Sequence, residues 1–73
     1  MHFKYNDNVY DFSVERNMKI EKMFKKLKKK YEEIPGNVML LHENNNMAQL
    51  DLDSKINETN LNDDDFIVII PLN

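Results

Sequence analysis

Apolar and polar residues alternate from Phe3 to Val14, with Phe3 and Tyr5 in one run and Tyr10, Phe12 and Val14 in the next. A period of two predicts half-buried strands. Asn6-Asp7-Asn8 lies between the runs, and Asn and Asp tolerate the positive φ of a tight turn, so this region predicts a β-hairpin. The period then lengthens: Ile20, Met23, Phe24, Leu27 and Tyr31 recur at three and four residues, with lysines filling the positions between. That spacing predicts an amphipathic helix. Asn17 is the natural N-cap, with Lys19 the latest start, and Pro35-Gly36 bars continuation because proline disfavours helix before it and glycine permits the turn.

Val38-Met39-Leu40-Leu41 is too short for a helix and predicts a strand that is apolar on both faces. Leu50 and Leu52 alternate with Asp51 and Asp53, which predicts a brief edge strand. From Ser54 to Asp65 the chain is polar apart from Ile56 and Leu61, expected to pin a loop or a single helical turn to the core. Phe66 to Ile70 is wholly apolar and is closed by Pro71, as expected of a strand in the middle of a sheet with its proline at the exit.

The order hairpin, helix, strand, weak strand, strand predicts an α+β fold. Its single helix must cross one face of a four- to five-stranded sheet, because only then are its stripe and the hairpin's inner face both buried. The 73 residues lie near the lower limit for one hydrophobic core, so residues 1–73 are expected to form one domain. Such a core leaves little room for a substrate cleft.

Charge adds an asymmetry. The net charge is -3, yet lysines crowd between Lys19 and Lys30 and acids between Asp51 and Asp65. Lys22, Lys25, Lys26, Lys29 and Lys30 raise nucleic acid or an anionic membrane as partners, but the acidic total, the single arginine and the lack of aromatics on the basic face argue for a solvated helix surface. Asp51, Asp53 and Asp63-Asp64-Asp65 lack EF-hand spacing and read as turn and surface acids. His2 and His42 have no third nitrogen or sulfur ligand, so no metal is expected. Ser13 and Ser54 stand outside any nucleophile-elbow context, and one glycine cannot form a phosphate loop. The reading is of a non-enzyme without cofactor or small-molecule substrate. Absent cysteines and the lack of a span of roughly 20 apolar residues or a secretory leader point to an intracellular protein, cytoplasmic or nuclear.

Several of these residues carry a family resemblance. Val14-Glu15 leading into Ile20-Glu21-Lys22-Met23 and Lys26-Leu27, then Ile34-Pro35, then Leu50 through Ile56, Asn60 and Leu61 to Ile67, Ile69 and Ile70, together resemble the ubiquitin-like, β-grasp family over nearly the whole chain. The resemblance implies a mixed sheet with the helix across it, and a domain recognised non-covalently through the opposite sheet face. It further implies that Ile67 and Ile69 face the helix, while Met39, Leu41, Phe66, Val68 and Ile70 form an outward protein-binding patch. Reversed parity on the third strand would expose Val38, Leu40 and His42 instead. The implied partners are proteins, those of the ubiquitin system among them. Two departures qualify the likeness. The sequence stops at Pro71-Leu72-Asn73 without the Gly-Gly tail of conjugated members, and its first turn, near Asn6 and Asp7, lacks their apolar loop residue. A non-conjugated interaction module is therefore expected. The alternatives are a structural or adaptor subunit that adds a strand near Leu50 and Leu52, or a truncated modifier.

Overall fold

A computed structural model describes residues 1–72, so Asn73, the last residue of the tail expectation, lies outside the described residues. The described residues form five strands, one α-helix and two 3-10 turns. β1 (His2–Tyr5) pairs antiparallel with β2 (Asn8–Asp11), Tyr5 opposite Asn8. Only Asn6 and Asp7 connect them, at φ 52° and 67°. This is the left-handed conformation that a two-residue hairpin turn demands, and short polar side chains bear its cost better than others. β2 stops at Asp11, short of the predicted Val14. Phe12 and Val14 still pack, half-buried, against the core.

The helix α1 spans Ile20–Lys30 and buries Ile20, Met23, Phe24 and Leu27. Each fully buried side chain contributes about 1.5–3 kcal/mol, far above the tenths per residue set by helix propensity. Packing therefore holds this short helix. Its N-cap is Lys19, which makes no side-chain capping bond, and not Asn17. The first amides are satisfied from another segment: Ile20 N–H donates to the Ser54 carbonyl at 2.9 Å and Glu21 N–H to the Leu52 carbonyl at 3.0 Å. At the other end Tyr31 is the C-cap, its N–H on the Leu27 carbonyl, and Lys28, Lys29 and Lys30 complement the negative end of the helix dipole. The helix has thus ended before Pro35 is reached. Gly36 has no positive φ, and an added Cβ there would meet only the flexible tip of Lys28 within 3 Å. The turn does not require glycine's conformational freedom.

β3 (Val38–His42), β4 (Ala48–Gln49) and β5 (Phe66–Pro71) complete a mixed sheet of order β2-β1-β5-β3-β4. β5 lies at its centre, parallel to β1 and antiparallel to β3. That position explains why it is apolar on both faces. Pro71 stands at its exit, opposite Val38.

The predicted strand at Leu50 and Leu52 is displaced to Ala48–Gln49 and shortened to two residues. The Asp51 carboxylate accepts from the Asp53 N–H and the Ser54 hydroxyl, closing a turn, while the carbonyls of Leu52 and Ser54 cap the helix. Backbone used in this way is withdrawn from the sheet. Ile56 and Leu61 are fully buried, Ile56 on a 3-10 turn, Ile56–Glu58. They join Phe3, Leu40, Ile67, Ile69 and the helix stripe in one hydrophobic cluster on the helix side.

Candidate functional site

With the helix on one side, the other sheet face is built from the alternate residues of each strand. On β5 the inward Ile67 and Ile69 are buried, whereas Phe66, Val68 and Ile70 are half-buried. On β3 Val38, Leu40 and His42 are buried, whereas Met39 and Leu41 are half-buried. The outward residues are registered: Met39 opposes Ile70, and Leu41 opposes Val68. Val68 also pairs with Lys4, Lys4 with Val9, and Leu41 with Gln49. A row therefore crosses all five strands as Val9, Lys4, Val68, Leu41 and Gln49. The structure brings together all the residues predicted for the patch.

One end of the face is more polar than the sequence pattern suggested. The Phe66 ring packs beside the His2 ring at 4.7 Å between centroids and under the Lys4 ammonium at 4.8 Å. Lys4 Nζ donates to both carboxylate oxygens of Glu43, at 2.7 and 3.0 Å, and His2 Nδ1 pairs with Asp11. The Asn44 side-chain carbonyl accepts from the Phe66 N–H at 2.8 Å. Phe66 thus belongs to a capped rim, and the open apolar surface lies around Met39, Leu41, Val68 and Ile70.

Beneath this face is a feature that the sequence reading missed. His42 Nε2 and Asp65 Oδ2 lie 2.7 Å apart, with His42 3% and Asp65 8% exposed, so Asp65 is a buried acid and not the surface acid expected. Burial pushes its carboxyl up, but the Asn62 N–H, which donates to the same oxygen at 3.0 Å, and the His42 hydrogen bond and charge outweigh burial and hold it below its ordinary 3.8. Period two counted back from Ile69 and Ile67 puts Asp65 on the inner face, and this was the available signal. A histidine–carboxylate pair orients a base in hydrolases. Here it points into the core side of the sheet and ties β3 to the start of β5.

The remaining candidates are dispersed. Lys22, Lys25, Lys26 and Lys29 are exposed on α1, with Lys25 on Glu21 at 3.1 Å. Lys30 Nζ stands over Phe12 and Tyr31 at 5.9 and 5.3 Å. Asp51, Asp53, Asp63 and Asp64 are exposed. His2 and His42 point to opposite sheet faces, and no group of three or more potential metal ligands occurs among the described residues. Ser13 lines a hollow of about 410 Å³ with His2 and Asp11, but no hydrogen bond joins it to His2 among the described residues. Ser54 hydrogen-bonds to Asp51 in the turn. Among the described residues no helix is long and apolar enough to cross a membrane. Comparison with protein-family models, curated proteins and solved structures gave no match.

Proposed function

We propose that the chain is a non-catalytic, ubiquitin-like interaction module that docks a protein partner through the sheet face opposite its helix. The observation that carries this reading is the registered patch of Met39, Leu41, Val68 and Ile70, half-buried on the central strand β5 and its neighbour β3 on the sheet face opposite the helix. Contiguous apolar side chains that reach the surface mark interaction sites more often than scattered ones do. The strand order and the one-sided helix are compatible with a β-grasp, the family the residue spacing resembles. Docking by strand addition near Leu50 and Leu52 has less support, because β4 has only two residues and the backbone beyond it caps the helix.

The test is capture of partners from a native lysate by the folded domain and by its Leu41→Asp and Ile70→Asp variants. Both variants are expected to keep the far-UV circular dichroism of the parent and to lose partners that the parent retains. Folded variants that retain every partner would remove the face from consideration.

A further inference from the structure

The outward face is not flat. Beside the hairpin turn lies a hollow of about 430 Å³, lined by the apolar or aromatic Tyr5, Val9, Val68, Ile69 and Ile70 and by the charged Lys4 and Asp7. Val9, 56% exposed, stands on the edge strand between two acids, Asp7 in the turn and Asp11 two residues on. Asp7 makes no ion pair among the described residues, and Asp11 is highly exposed even though it pairs with His2. The one cation lining the hollow, Lys4, is held by Glu43. The exposed lysines of α1 lie on the other side of the molecule, since the helix packs its apolar stripe on the inner sheet face. An approaching group therefore meets an apolar hollow whose one charge without an ion-pair partner among the described residues is Asp7, with Asp11 further along β2.

We infer that the occupant of this face is a basic amphipathic helix of a protein partner. One of its apolar side chains fills the hollow against Val9, Val68 and Ile70, and a neighbouring Lys or Arg meets Asp7. This inference rests on the docking reading above and adds the partner's chemistry. A helix can set an apolar anchor and a cation side by side by placing them three or four residues apart. Electrostatic complementarity selects partners more than it tightens them, so an acidic helix with the same apolar stripe is the partner excluded. Nucleic acid and anionic lipid bring a charge of the wrong sign. A second copy of this chain has a basic helix surface, but the apolar stripe of that helix, Ile20, Met23, Phe24 and Leu27, is buried in its own core, so its helix cannot set an apolar anchor beside a lysine.

The experiment uses the isotope-labelled whole chain and two synthetic helical peptides with the same leucine stripe, one flanked by lysines and the other by glutamates. By amide shift mapping, the lysine peptide is expected to move Val9, Val68 and Ile70 and to bind about tenfold more tightly at low salt, an advantage screened at about 0.5 M salt. In Asp7→Asn/Asp11→Asn, which keeps a side chain suited to the left-handed turn, the preference is expected to fall to about twofold or less. Equal binding of the two peptides at these amides, or tighter binding of the glutamate peptide, overturns the basic partner but leaves the docking face standing. If neither peptide moves any outward amide, both readings fail. Movement confined to residues 51–65, or concentration-dependent shifts of the face without peptide, overturns the inference in favour of an acidic-loop contact or self-association.

Discussion

His42 and Asp65 show how one residue pair is decided by its surroundings. Removing the Asp65 carboxylate leaves His42 Nε2 and the Asn62 N–H without their shared acceptor, which costs about 1–3 kcal/mol for a buried polar group. Asp65→Ala is therefore expected to lower the urea midpoint without changing the slope. The pH dependence has a definite sign. The folded carboxyl lies below its ordinary value, so the folded state binds the proton more weakly than the unfolded state does. Its stabilisation is complete above the unfolded value of about 3.9 and is lost as pH falls through the folded one. The stability gap between parent and Asp65→Ala should thus be constant near about pH 6 and shrink below about pH 4. A gap that stays constant into acid would mean the carboxylate's charge contributes nothing. In the sequence Asp65 looks like the third of three surface acids, because composition counts charges while only strand parity and a histidine from another strand make one of them internal.

At the scale of elements, the helix stripe was legible because a period of 3.6 is local, whereas the cap was not. The amides of Ile20 and Glu21 are served by carbonyls more than thirty residues away in the chain, a contact that no local pattern announces. Asn17→Ala is consequently expected to change stability by less than about 0.5 kcal/mol, against the roughly 1 kcal/mol lost with a true N-cap. Thermal melts of the two proteins decide the point, and a loss near 1 kcal/mol would restore Asn17 as the cap. The displaced β4 has the same origin. Leu50 and Leu52 alternate as a strand should, and the Leu50 N–H still donates to the Leu40 carbonyl of β3 at 2.9 Å, but beyond it the Asp51 turn and the helix cap take the Asp53 N–H and the Leu52 carbonyl.

Taken whole, the molecule carries lysines on its helix side, while Asp7 and Asp11 stand on the hairpin at the edge of its sheet face, apart from the acidic run between Asp51 and Asp65. On the basic side Lys25 is paired with Glu21, and the chain as a whole carries -3. Retention on heparin is therefore expected to vanish by about 0.2 M salt, since few phosphate-like contacts survive screening. Firm retention above that concentration would return nucleic acid to the list of partners.

Period and composition alone determined the α+β class, the hairpin with its left-handed turn, the extent of the helix stripe and the central place of β5. All of these follow from side-chain alternation and backbone sterics within a few residues. The outward parity of Met39, Leu41, Val68 and Ile70 came from family resemblance, and the register of β3 on β5 now fixes it. Only the tertiary structure decided the helix cap, the shortened edge strand, the burial of Asp65 and the hollow that Val9 and Asp7 line. Each depends on groups distant in the chain meeting in space, and there hydrogen bonding and charge override what neighbouring residues prefer.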